Sequence, residues 1–196
     1  MRTCVIQFAN SQEYYSQLNI SILSTLTICQ KYKYDYIMRT SRTTNRHPVW
    51  ERVNLIKECV QNKYDYILWL DTDTYWIDNV KDLDEVWSSL KLYDKTFGCT
   101  WHTNHWNIGV LYVRVTEYLS NFIEKWLNYP ETKHIWKEQF VFNKLIHKHQ
   151  VLTVGHEWNS VMWLPSCKSD NPVIASWHGG RNVVDAMKEF KHDRNR

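Results

Sequence analysis

Little in this sequence breaks it up. Its 196 residues include five glycines and four prolines, too few for a flexible linker, a proline-rich spacer or a low-complexity segment. No apolar run approaches the roughly 20 residues of a membrane helix. The opening MRTCVIQFAN reads as a strand, not as a secretory leader. The five cysteines (Cys4, Cys29, Cys59, Cys99 and Cys167) are odd in number and never spaced CxxC, so neither zinc nor a disulfide framework is indicated. Reduced, mostly buried thiols in a soluble, cytoplasmic protein are the expectation. Nor is one sign of charge in excess. The 24 Lys and Arg against 21 Asp and Glu leave +3, too little to argue for nucleic acid.

What is plentiful is apolar and aromatic. Hydrophobic residues make up 43% and aromatics 15%, with 11 Trp and 12 Tyr. The length suits one domain with a sizeable core. The surplus of rings suits a surface that stacks on bases or sugars. The closing stretch MKEFKHDRNR (187–196) is charged and reads as a frayed end or as the start of a linker in a longer chain.

The hydrophobic pattern alternates strand and helix. TCVIQFA (3–9), YDYIMRT (34–40) and YDYILWL (64–70) are strand candidates. Helices are expected from about Ser11 to Lys31 and over 49–62, with the polar, proline-ended SRTTNRHP (41–48) as a loop. KYKYDYIM and QNKYDYIL echo one another, each a helix end followed by a strand. Such βαβαβ order implies parallel pairing with right-handed crossovers, and ligands of such sheets lie beyond the carboxyl ends of the strands. Further helices are expected over 80–90, 116–129 and 135–149, and further strands over 97–101, 108–114, 151–155 and 172–178.

The stretch WLDTDTYW (69–76) sits at such an end. With a period of two, Asp71 and Asp73 share a side if the strand continues. Their repulsion asks for a cation, hydrogen bonds or a raised pKa. Mg2+ or Mn2+ with oxygen ligands is the usual cation; a solvated turn with Asp73 as a cap is the plain alternative. Arg39, Arg42 and Arg46 flank the polar loop and Arg52 starts the next helix; one or more could pair with an anionic ligand, and a solvated basic loop is the plain reading of the others. DTDT also matches the DxDxT opening of haloacid-dehalogenase-type phosphatases. The later acidic pair those enzymes need is missing, since after Asp94 only Asp170, Asp185 and Asp193 remain.

Five segments, in order, resemble the nucleotide-sugar glycosyltransferases of the GT-A fold. The closest likeness is to the galactosyl- and xylosyltransferases of family 34, with a looser one to family 8. The segments are YDYILWLDTDTYWIDN (64–79), WNIGVLYVR (106–114), KEQF (137–140), HEWNS (156–160) and SWHGGR (176–181). The resemblance spans about Trp50 to Arg181.

The resemblance implies an α/β fold: one GT-A, Rossmann-like domain over 1–196, with a mixed, mainly parallel central sheet flanked by helices. Residues 1–100 would form the nucleotide-binding half and 101–196 the acceptor and catalytic half. It implies a metal, Mn2+ or Mg2+, held by Asp73 and His178 and by Asp71, the last also serving the donor ribose or a metal-bound water. The metal would bridge the diphosphate of a donor, a UDP-sugar, and stabilise it as it leaves. Ala9, Asn10 and Tyr14 would seat the base, Arg39 and Arg52 the diphosphate. Thr72, Asn107, Gly109, Gly179 and Arg181 would meet other parts of the donor. Glu138 and Gln139 would lie at the reactive face of the sugar, Glu replacing the commoner Asp; an exposed helix glutamate is the plain alternative.

The expected reaction is transfer to a glycan or glycoprotein acceptor with retention of configuration. For an inverting enzyme, a carboxylate at that face or Glu157 would be the base. His102, His105, His147 and His149 read as solvated loop and helix positions. One or two of Trp101, Trp106, Trp136, Trp158, Trp163 and Trp177 would form an acceptor floor, and the 41–48 loop would close over the donor. Family members elsewhere are often anchored in the Golgi, so the missing anchor suggests a bacterial or large-virus enzyme, or a domain excised from a longer protein. A DxDxT phosphatase and a non-catalytic carbohydrate-binding module stay open as alternatives.

Overall fold

A computed structural model describes residues 1–10, 19–77, 82–177 and 182–194. Three strands open the chain as the alternation requires. β1 (Thr3–Phe8), β2 (Asp35–Arg39) and β3 (Tyr66–Leu70) are parallel neighbours in the order β2-β1-β3. The connecting helices are α1 (Asn19–Tyr32) and α2 (Glu51–Gln61); the helix start expected near Ser11 lies outside the described residues. Thr3 to Gln7 and all of β3 are buried, as strands covered on both faces must be. The sheet continues through β6 (His105–Arg114), antiparallel to β3, to β5 (Phe97–His102) and β7 (Val151–Thr153). With β6 alone reversed, this is the mixed, mainly parallel sheet that the family resemblance implies.

Strand side chains alternate between two cores. Cys4, Ile6, Ile67 and Trp69 face α2, α4 (Glu117–Leu127) and α5 (Lys137–Leu145). Val5, Leu68, Leu70 and Tyr112 face α1 and α3 (Asp84–Leu92). No helix among the described residues is long and apolar enough to cross a membrane.

The repeated Lys-Tyr-Asp-Tyr has a structural cause. Lys33 and Lys63 take left-handed φ values of 58° and 59°. After each, the tyrosine N–H reaches back into the helix, Tyr34 to Cys29 O at 2.9 Å and Tyr64 to Cys59 O at 3.2 Å. The lysine N–H groups reach Gln30 O and Val60 O. Both helices thus end in a Schellman cap, with lysine where glycine is commonest. A glycine-poor chain accepts some left-handed strain at these two ends.

The structure departs from the sequence reading in several places. The third strand does not continue through the two aspartates: the chain turns at 71–73 and starts β4 (Thr74–Trp76) in a second sheet. That sheet has the order β4-β9-β8, with β8 (Ser160–Val161) and β9 (Ile174–Ser176). β4 and β8 are too short to leave a periodic signal. The helix expected over 135–149 is shortened to α5, and the charged tail is not frayed as far as Arg194 but forms a helix, α6 (Val183–Arg194). Val183, Met187 and Phe190 recur on one side of it. Met187 is buried with Ala175 and Trp177, and Phe190 meets the rings of Tyr75 and Trp177 edge-on. The charged majority of the segment hides that stripe. The 41–48 loop packs on buried Glu51, which accepts from Thr43 N (2.6 Å), Thr43 Oγ1 (2.7 Å) and Thr44 N (2.7 Å). Arg46 lies 3.3 Å over the Trp50 ring and donates to Leu127 O.

Candidate active site

Asp71, Thr72 and Asp73 make the turn by which the chain passes from the large sheet to the small one. Asp71 N–H donates to Gly109 O (2.8 Å), Thr74 Oγ1 to Asp71 O (2.7 Å) and Trp177 N–H to Asp73 O (3.0 Å). The turn is therefore held by β6, by β4 and by the residue after β9. It stands beyond the carboxyl end of β3, next to that of β1, the position where parallel sheets bind ligands. A cavity of about 360 Å³ opens there. Its walls include Asn10, Arg52 from α2, residues 71–73, and Glu138 with Gln139 from α5.

Arg52 is the only Lys or Arg in the described lining. Its side chain is 6% exposed and lies between two carboxylates, Nη2 at 2.6 Å from Asp71 Oδ1 and Nη1 at 3.3 Å from Glu138 Oε1. Trp69 supports the group twice. Its ring lies 4.8 Å from the guanidinium, and its Nε1–H donates to the same Asp71 oxygen at 2.7 Å. Arg52 Nε is buried with no hydrogen-bond partner among the described residues.

Glu138 is 4% exposed, so it is not an ordinary helix-surface glutamate. Burial pushes its carboxyl up to about 7; Arg52 pulls it down by less, and the charge of Asp71 adds to the rise. A carboxyl that changes charge near neutrality inside a cleft marks a functional candidate. Gln139 fixes the first turn of α5 against β6, its Oε1 accepting from Ile108 N at 3.0 Å. Trp126 Nε1 donates to Glu138 O at 2.9 Å. His47, also in the wall, has its imidazole pKa lowered by burial and by the charges of Lys137 and Arg42.

Behind the turn lies a buried polar hub. Asn107 Oδ1 accepts from Gly109 N (2.8 Å) and from Asn159 Nδ2 (3.1 Å), and its Nδ2 meets His102 Nδ1 at 3.1 Å. Asn159 also donates to Thr100 Oγ1 (3.2 Å) and accepts from Ser176 Oγ (2.8 Å). One asparagine thus ties β5 and β6 of the large sheet to β9 of the small one.

The structure brings Asn10, Arg52, Asp71, Thr72, Asp73, Glu138 and Gln139 to one cavity. It does not bring Ala9, Arg39, Asn107 or Gly109 to its walls. Ala9 is buried with its N–H on Arg39 O (3.0 Å), and the Arg39 guanidinium holds both oxygens of Glu58 at 2.7 and 2.6 Å. Tyr14, His178, Gly179 and Arg181 lie outside the described residues. His102 is not a solvated loop residue: β5 runs one residue further than expected and carries it into the interior. Of the six candidate floor tryptophans only Trp136 lines the cavity, and Trp158 and Trp177 are buried. Trp69 and His47 were missed. For Trp69 a signal existed, since two residues before Asp71 on a strand is the same side.

Residues 12–160 match the family model for nucleotide-diphospho-sugar transferases. Among solved structures, a glycosyltransferase involved in glycosylation of the major capsid of PBCV-1 aligns with a TM-score of 0.69 at 14% identity, covering 96% of this chain and 100% of the other. The galactosyltransferase LgtC, solved with donor and acceptor sugar analogues, gives 0.56 at 14% identity, covering 96% and 95%. GlyE of Streptococcus pneumoniae TIGR4 gives 0.63 at 15% identity, covering 97% of this chain and 60% of that one. At such identities the likeness shows the GT-A fold. No curated protein sequence matches the chain.

Proposed function

The chain belongs to the nucleotide-diphospho-sugar transferase family, and we propose that it uses Mn2+ or Mg2+ to move a sugar from a UDP-sugar to a glycan or glycoprotein acceptor with retention of configuration. The observation that carries the metal is the charge of the cavity. Among the described lining residues, Asp71, Asp73 and, when ionised, Glu138 stand against one guanidinium, that of Arg52. Such walls repel a diphosphate unless a divalent cation accompanies it.

The donor set fits a hard cation, since carboxylate oxygens are its natural ligands. Asp71 Oδ1 is committed to Arg52 and Trp69. Asp73 and the second oxygen of Asp71 would therefore hold the cation, with His178, next in the chain to Trp177, as third ligand. Once bound, the cation supplies Lewis-acid stabilisation of the departing diphosphate. Arg52, balanced between Asp71 and Glu138, keeps both carboxylates in position. Asn10, beyond β1, stands where the nucleotide would lie. Glu138, when ionised, places negative charge beside the sugar carbon as positive charge develops there. Gln139 fixes the turn that presents Glu138.

Family membership sets aside the phosphatase and the carbohydrate-binding module as principal readings. The test pairs thermal shift with nucleotide release over a panel of UDP- and GDP-sugars in Mn2+, Mg2+ or EDTA. UDP is expected to raise the melting temperature only with a divalent cation present. Asp73→Ala should melt like the wild type and release no UDP. Full activity of both proteins in EDTA would overturn the metal role, and turnover of GDP-sugars alone would overturn the donor.

A further inference from the structure

Three side chains outside the cavity converge from separate elements. His102 ends β5, His156 opens the short turn His156–Trp158, and Cys167 closes the turn Pro165–Cys167. One ligand atom from each lies within 4.8 Å of the other two. His102 and Cys167 are buried and His156 is half-buried. The imidazole rings are nearly parallel, at an interplanar angle of 20° with centroids 6.0 Å apart. His156 Nδ1 is closed off from solvent and has no hydrogen-bond partner among the described residues. Buried polar atoms are almost always paired, so that nitrogen asks for a partner.

The geometry points to a second metal site, for Zn2+, made by His102, His156 and Cys167 and separate from the carboxylate cavity. No carboxylate belongs to the group. Two imidazoles and a thiolate are a borderline-soft set, suited to zinc and unsuited to Mn2+ or Mg2+. Zinc bonds of about 2.0–2.3 Å in a tetrahedron put ligand atoms roughly 3.3–3.8 Å apart. Closure from 4.8 Å is a movement of about an ångström, and two of the ligands sit on short turns. Water would fill the fourth position. Both nitrogens of His102 have neighbours, Thr100 Oγ1 at 3.1 Å from Nε2 and Asn107 Nδ2 at 3.1 Å from Nδ1; zinc on Nδ1 would displace the Asn107 contact and leave Nε2–H to donate to Thr100. Such an outer contact commonly orients a ligating imidazole. Binding replaces the S–H bond of Cys167 by a Zn–S bond and releases one proton to solvent. The ion would clip the end of β5 to the turns flanking β8. Asn159, which holds Asn107, lies between those turns.

The probes are zinc and cobalt alone, on the full chain. Protein made in zinc-supplemented medium should hold one zinc per chain by elemental analysis. Metal-free protein titrated with Co2+ should show thiolate-to-cobalt charge transfer and the visible bands of a tetrahedral ion. Asp73→Ala should keep both signals, which separates this site from the carboxylate one. Cys167→Ser should lose the charge-transfer band, and His156→Ala should weaken zinc binding by roughly a hundredfold or more. If cobalt gives no charge transfer with the wild type, the proposal is overturned whether or not the variants fold. Equal zinc binding by Cys167→Ser overturns it as well.

Discussion

Replacing Glu138 by glutamine tests the electrostatics of the cavity. The carboxyl rises from 4.5 to about 7 on folding, chiefly through burial. The folded chain therefore holds this proton more tightly than the unfolded one between those two values. Stability is full below the lower value and falls as pH rises through about 7. At about 1.4 kcal/mol for each tenfold change in proton affinity, the window is worth roughly 3 kcal/mol. Glu138→Gln offers nearly the same shape and never ionises. Arg52 keeps Asp71 at 2.6 Å, so the substitution does not leave a buried cation alone. Relative to the wild type, the variant should gain up to about 3 kcal/mol as pH rises from about 5 to about 8. Urea unfolding of metal-free protein in EDTA, in small pH steps, measures this. Every other group titrates in both proteins, so the difference curve isolates Glu138. Parallel stability curves would refute the reasoning, because they would mean that Arg52 keeps Glu138 ionised throughout.

Two further substitutions test the supports. Trp69→Phe keeps a ring under Arg52 but removes the 2.7 Å bond to Asp71; it should cost about 1–2 kcal/mol in denaturant unfolding, and no loss would show that the indole does not hold the turn. Lys63→Gly relieves a left-handed residue at φ 59°; it should gain about 0.5–1 kcal/mol in the same assay, and a loss would mean that the lysine side chain has a stabilising role of its own.

Much of the site was legible because its chemistry is dense in polar residues at element ends. Asp71, Asp73 and Arg52 stand where an apolar strand stops and a helix begins, and the rule that ligands lie beyond the carboxyl ends of parallel strands pointed to that edge, although the strand does not continue through the aspartates as the period-two argument required. Glu138 and Gln139 were found only through a resembling segment, since nothing local shows that a glutamate in KEQF is 4% exposed. Arg39 carried the same local signal as Arg52 and turned elsewhere, to Glu58 at 2.6 Å. Which arginine faces the cavity depends on partners 19 residues away in each case.

The sequence by itself determined the strand and helix succession of the first 70 residues, the parallel pairing it implies, and the edge at which a ligand would bind. Those follow from local periodicity and from burial on both faces, which each segment records in its own residues. Only the tertiary structure decided that the chain leaves the large sheet at Leu70, and that Glu138 is buried against Arg52 with its proton held to about 7. Likewise only the tertiary structure brought His102, His156 and Cys167 together. Such outcomes depend on desolvation and on contacts between segments far apart in sequence, and no single stretch of chain encodes either.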